Sequence, residues 1–203
     1  MFETACKKPG WEDAYYAALV AAHTTARACE IKGLRLRDVD LMERTLKIRR
    51  QSTKTDAGCR IIPLNETATW ALARLLEKAA KLGVTEQDHY LLPAAQFRRK
   101  VGRVAGAGYD PTHPRKSRRT AWRKLTKKAG LRGLRFHDLR HHCITRLAEA
   151  GVPDHTLKAL AGHVSPQMLE HYSHIRMQAK RPAVAAIDAA RPPEHADNAE
   201  GHA

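Results

Sequence analysis

The stretch Phe136-His137-Asp138-Leu139-Arg140-His141-His142, continued by Cys143, Ile144 and Leu147, decides how the chain is read. Phe136, Leu139, Cys143, Ile144 and Leu147 recur at helical spacing and form one apolar face, and Gly151 ends that helix. On it His137 and Arg140 stand at i and i+3, so an imidazole and a guanidinium share one side. Pro153 and Asp154 open a further helix, which breaks at Gly162 in Leu160-Ala161-Gly162-His163. Ser165 and Pro166 make an N-cap and first-turn pair for a short helix that carries Tyr172. The segment from Gln178 to Ala190 is Ala-rich and interrupted by Pro182, and from Arg191 onward the Pro, Glu, Asn and Gly content predicts disorder. The expected organisation is one domain over residues 1–190 and a disordered tail over 191–203.

Upstream, Tyr15, Ala18, Leu19 and Ala22 give helical spacing from Trp11, and a second short helix carries Arg27 to Ile31 before Gly33 stops it. Leu46 and Ile48 alternate with charged residues, and the run Cys59 to Leu64 is β-like, with a turn over Lys54 to Gly58 between them. Asn65 caps an amphipathic helix from Glu66 to Lys81. A linker is expected near Pro93, and the Gly/Pro-rich basic stretch Gly102 to Arg119 reads as a mobile loop suited to DNA contact. Ser117 then caps a helix through Trp122 and Leu125 that stops at Gly130. The fold class expected is α+β, mainly α-helical with a small antiparallel sheet or hairpin.

Lys and Arg number 36 against 21 acidic residues, and a formal net charge of +15 on 203 residues points to a polyanion, nucleic acid first among them. The hydrophobic fraction of 43% supports a core. No run approaches the ~18 apolar residues of a membrane span, and the start MFETACKKPG lacks the apolar block of a secretory signal. The four cysteines make no CxxC pair, so neither a zinc knuckle nor a disulfide framework is indicated and a cytoplasmic location is expected.

In chain order the sequence offers Arg27, Lys54, His137-x-x-Arg140, His163 and Tyr172, the set that cutting DNA through a covalent tyrosine needs. A phenol starts from a pKa of about 10 and must lose its proton beside cations or a base. Two guanidiniums, Arg27 and Arg140, clamp nonbridging phosphate oxygens bidentately. Lys54, on the hairpin turn, protonates the departing 5′ oxygen, with Lys47 and Arg60 as competitors for that role. His163 donates a hydrogen bond to a phosphate oxygen, and His137 accepts or relays the tyrosine proton. This chemistry requires no metal and no cofactor.

Phe136-His-Asp-Leu-Arg-His-His142 and Leu160-Ala-Gly-His163, with Arg27, Lys54 and Tyr172 in this order, resemble the tyrosine recombinase (phage integrase) family from Trp11 to Ala190. The resemblance implies the family's catalytic-domain fold and assigns Arg27 as the first catalytic arginine, Lys54 as the hairpin lysine, His137 and Arg140 as the second box, His163 as the penultimate histidine and Tyr172 as nucleophile. It further implies double-stranded DNA as substrate, a 3′-phosphotyrosyl intermediate, release of a 5′-hydroxyl, religation without ATP or metal, and a homotetramer on two duplexes that exchanges a terminal helix. The first box departs from the usual wording, reading Thr25-Ala-Arg27 for Gly-Leu-Arg, and Ala161 precedes Gly162-His163 where Leu is common. Family members carry an N-terminal core-binding domain; with 26 residues ahead of Arg27 this chain is expected to lack it and to bind DNA weakly and in a salt-sensitive way.

Four other readings compete. An inactive DNA-binding remnant keeps the boxes, and a type IB topoisomerase shares the chemistry. A helix-turn-helix regulator fits the lengths of Asp154 to Ala161 and Pro166 to His174, but its reading helix has no Arg or Lys to meet DNA. A zinc enzyme draws on His137, His141, His142, Cys143, His171 and His174 without HExxH or paired-Cys spacing.

Overall fold

The computed structural model describes residues 2–6, 10–49, 58–100 and 103–162, with single positions 177, 184 and 185. Among the described residues seven helices and five strands follow in order: α1 Phe2–Cys6, α2 Trp11–Thr24, α3 Ala28–Lys32, β1 Val39–Asp40, β2 Thr45–Ile48, β3 Arg60–Pro63, α4 Glu66–Lys81, β4 Pro93–Lys100, β5 Arg103–Pro114, α5 Arg119–Lys128, α6 Phe136–Glu149 and α7 Asp154–Ala161, with a 3-10 turn at Leu36–Asp38. The architecture is mainly helical, as the sequence pattern implied, with two small antiparallel sheets where one was expected.

Helix α2 is the hub, packing against α1, α4, α5 and α6. Its inward residues are mostly small, with Ala14, Ala17, Val20 and Ala21 at most 1% exposed, which lets four helices approach one axis closely. Amphipathic α4 lays Ala68, Leu72, Leu75 and Ala79 on this hub. Its start is set by Asn65, whose Oδ1 accepts from the backbone N–H of Ala68 at 3.0 Å. Asn65→Ala leaves that amide without its cap and is expected to cost about 1 kcal/mol, read as a lower urea midpoint at unchanged slope.

Strands β1, β2 and β3 form one sheet, with Leu46 opposite Ile62 and Lys47 opposite Ile61. Period-2 alternation buries Leu46, Ile48 and Ile62 and leaves Lys47 and Ile61 outside. The second sheet corrects the sequence reading. Residues expected as a linker and a loop pair as β4 and β5, with Gln96 opposite Gly108 and Arg99 opposite Val104. A two-stranded ribbon is held by backbone hydrogen bonds, and it can form without the hydrophobic alternation that identifies a strand in sequence. Gly106, Gly108, Pro111 and Pro114 further mask the pattern.

Helix α6 runs from Phe136 through Glu149 as its periodicity predicts, and α7 begins after Pro153. Ile144, Ala148, Leu157 and Ala161 join the two helices in a small core of their own. The expected helix around Tyr172, the turn with Lys54, the Ala-rich segment and the tail lie outside the described residues, apart from the single positions named above. No helix among the described residues is long and apolar enough to cross a membrane.

Candidate active site

Arg140 leaves α6 from the same inward row as Cys143 and Ile144 and is 3% exposed. Its Nη1 donates to the carbonyl of Thr25, the C-cap of α2, and its Nη2 donates to the carbonyl of Ala161, the last residue of α7, at 2.9 Å. Both acceptors sit where helices end, with carbonyls left over from the helical ladder and a negative dipole end. Two of the five N–H donors of Arg140 are thereby fixed, and the plane of the guanidinium with them. Burial, then the neighbouring charge of Arg27, pushes its pKa down to about 10 against the pull of Glu30, so it stays a cation at neutral pH.

Thr25 has φ 56°, a left-handed backbone that is uncommon for a β-branched residue. Its hydroxyl donates to the carbonyl of Leu160 at 2.7 Å, tying the α2–α3 turn to the end of α7. That carbonyl also receives Nε of Arg60 from β3 at 2.7 Å. The end of α7 is thus held from three sides. The chain then leaves through Gly162 at φ 70°, ψ −140°, a conformation a Cβ would strain, toward His163.

Arg27 is the N-cap residue of α3. Its backbone N–H donates to Glu30 Oε2 at 2.7 Å and its Nη1 to Glu30 Oε1 at 3.0 Å. Glu30 is fully buried and also receives Nη1 and Nη2 of Arg60 at 3.1 and 2.8 Å. Burial alone would raise this carboxyl, but the hydrogen bonds from Arg60 and the Arg27 backbone outweigh it and hold the pKa below the ordinary value. Arg27, Arg60, Arg140 and Glu30 together carry a formal charge of +2, a surplus that suits an oxyanion.

Arg60 is therefore no competitor for the general-acid role assigned to Lys54. All three of its nitrogens have acceptors, Gly58, Glu30 and Leu160, and it works as a tie. Lys47 is exposed on β2. His137, one helical turn before Arg140, is exposed and stands edge-on to His141 with ring centroids 4.7 Å apart. Its pKa is lowered, first by partial burial and then by the charges of His141 and Arg140, which favours the neutral, proton-accepting ring. Lys54, His163 and Tyr172 lie outside the described residues. Among those described, no three His, Cys, Asp or Glu side chains gather as metal ligands.

A cleft of about 850 Å³ opens from His137 along α3, α5 and the start of α6, lined by nine Lys and Arg side chains and by no carboxylate. Sequence reading attached no role to Glu30 and did not single out the basic side chains that α5 brings to this cleft. For Glu30 a local signal existed: a carboxylate three residues after a helix N-cap is the spacing that reaches back to the cap's N–H.

The integrase of Salmonella phage P22 is 28% identical over 155 residues, covering 76% of this chain and 37% of that protein. Tyrosine recombinase XerC of Chlamydia trachomatis serovar D is 30% identical over 159 residues, covering 76% of this chain and 44% of that protein. The chain thus spans less than half the length of these curated relatives. Among solved structures, XerA recombinase superposes with a TM-score of 0.62 at 25% identity, over 94% of this chain and 61% of that one. The Tn1549 transposon integrase, solved with transposon right end DNA, superposes with a TM-score of 0.57 at 22% identity, over 84% of this chain and 58% of that one. Residues 1–179 match the model of the phage integrase family, and the chain belongs to that family.

Proposed function

We propose that this chain is the catalytic domain of a site-specific tyrosine recombinase, breaking and rejoining double-stranded DNA through a 3′-phosphotyrosyl bond to Tyr172. The observation that carries the reading is one cluster of cationic surplus in which Arg27 and Arg60 pair with buried Glu30 while Arg140, within the field of that carboxylate, is oriented by the ends of α2 and α7. The DNA-bound state of the transposon integrase and the +15 charge support duplex DNA as the substrate. A homotetramer on two duplexes, a cytoplasmic setting and a part in integration or excision of mobile DNA complete the proposal.

In this reaction Arg27 and Arg140 bind the nonbridging oxygens of the scissile phosphate, where negative charge concentrates in the transition state. The Tyr172 oxygen bonds to phosphorus while its proton passes to neutral His137. The bond from phosphorus to the 5′ oxygen breaks, and Lys54 protonates that oxygen to a hydroxyl. His163, next in the chain after Gly162, donates to a phosphate oxygen. One phosphoester replaces another, so attack by a second strand's 5′-hydroxyl restores the duplex without ATP.

The test is to incubate the protein with a nicked suicide duplex and look for an adduct that survives denaturation. Its appearance supports strand cleavage; salt-dependent binding with no adduct on substrates of varied sequence leaves a DNA-binding remnant; no binding at all overturns the reading. Because the pKa of His137 lies below the ordinary 6.5, adduct formation is expected to hold from pH 8 down past 6.5 and to fall only at lower pH, where the ring is protonated and cannot accept. A flat profile down to pH 5 would remove His137 from proton transfer.

A further inference from the structure

Helix α5 opens with Arg118 as its N-cap residue and has no acidic residue in its first turn. Arg118 Nη1 is shielded from water and has no hydrogen-bond partner among the described residues. The guanidinium lies 5.7 Å from the centroid of Phe136 and borders the basic cleft. Asp13, the carboxylate whose charge acts on it, is already held by Arg115 Nη1 at 2.8 Å and by Lys78 Nζ at 2.9 Å. A shielded N–H donor without an acceptor is costly, and the aromatic ring offsets only part of that cost.

We propose that the cleft between α3, α5 and the start of α6 is a phosphate-binding site, with Arg118 as its inner guanidinium. The cleft supplies what an oxyanion of two charges needs. The start of α5, with no carboxylate in its first turn, borders it, so one uncompensated positive dipole end lies at the cleft. Arg119, Arg123 and Lys32 also line it, and no lining residue is acidic. Burial, with the charge of Arg115, pushes Arg118 down to about 10, and a bound anion would relieve the same stress. The planar fork of an arginine matches two phosphate oxygens, which a lysine at this place could not do.

This site adjoins the one attacked, since His137 lines the cleft, but it is separate from the clamp: neither Arg27, Glu30 nor Arg140 is among the lining residues. Two sources share the chemistry: a backbone phosphate beside the scissile one, which rests on the recombinase reading, and free phosphate or a phosphate ester, which does not.

Cys29 is exposed and lines the same cleft, whereas the exposed Cys59 does not. It therefore serves as a reporter. Alkylation of each cysteine of the full chain by neutral iodoacetamide is followed by site-resolved mass spectrometry, with inorganic phosphate or duplex DNA added against chloride of equal ionic strength. Phosphate at roughly ten times its Kd is expected to slow Cys29 about tenfold, as occupancy requires, and to leave Cys59 unchanged. Arg118→Gln, checked for folding by its thermal unfolding, abolishes this protection.

If the occupant is DNA, the duplex also protects Cys29, and Arg118→Gln makes the log–log salt slope of DNA binding shallower by roughly 0.9, the contribution of one phosphate. Protection by phosphate with an unchanged slope assigns the site to a free phosphate ligand. Equal Cys29 rates in phosphate, DNA and chloride overturn the proposal, a result obtained on wild-type protein alone. Protection that persists in a folded Arg118→Gln variant overturns it as well. Failure to form the Tyr172 adduct removes the recombinase reading and leaves the phosphate arm standing.

Discussion

The Tyr172→Phe protein is expected to form no denaturation-resistant adduct with the suicide duplex while it still binds DNA in a salt-dependent way. The substitution deletes one oxygen, and without it no phosphoester to the chain can form, whereas the cations that attract the backbone are untouched. Losing a clamp residue has a different signature: Arg140→Gln is expected to slow adduct formation by about 10²–10³ without abolishing it, since Arg27 still meets the phosphate. The chain has four other tyrosines. Tyr16 is buried edge-on to Trp70 and Tyr15 packs edge-on to Tyr16. The Tyr90 ring lies beneath Arg35, with the hydroxyl accepting from its Nη2. Tyr109 sits in β5. None of these stands at the Arg27 and Arg140 cluster, so an adduct that persisted in Tyr172→Phe would relocate the site altogether.

What could be read from the sequence is what local periodicity and caps encode. The apolar rows of α4 and α6, the Asn65 cap and the Pro153 start of α7 all follow from residues within one or two turns of each other. The ribbon of β4 and β5 did not show, because its pairing is carried by backbone groups that every residue has. The site divides along the same line. Arg27 and Arg140 could be named from their boxes, yet their relation depends on contacts between residues far apart in the chain: Arg140 with Thr25, Arg60 with Glu30 and with Leu160. Nothing in the spacing of Arg60 distinguishes a buried tie from a solvated strand residue. Its fully engaged guanidinium becomes visible only when β3, α3 and α7 are brought together.

Glu30 is the point on which that assembly balances. Arg27 and Arg60 converge on it, Arg140 lies within its field, and it is the one buried carboxylate described among these three arginines. Replacing a paired buried charge leaves its partners uncompensated, so Glu30→Ala is expected to lower unfolding free energy by about 3–5 kcal/mol at pH 7 in urea. The comparison is the exposed Arg74 and Glu77 pair, where Glu77→Ala should shift stability by no more than about 0.5 kcal/mol. The sign of the pH dependence follows from the lowered pKa. An ionised Glu30 stabilises the fold fully above its unfolded value near 4.5, and this contribution is lost as pH falls through the lower folded value. The gap between wild type and Glu30→Ala should therefore be widest near neutrality and narrow in acid below 4.5. If the gap were absent at pH 7, or constant across that window, the arginines would be held by something other than this carboxylate, and the case for a preset phosphate clamp would lose its structural support.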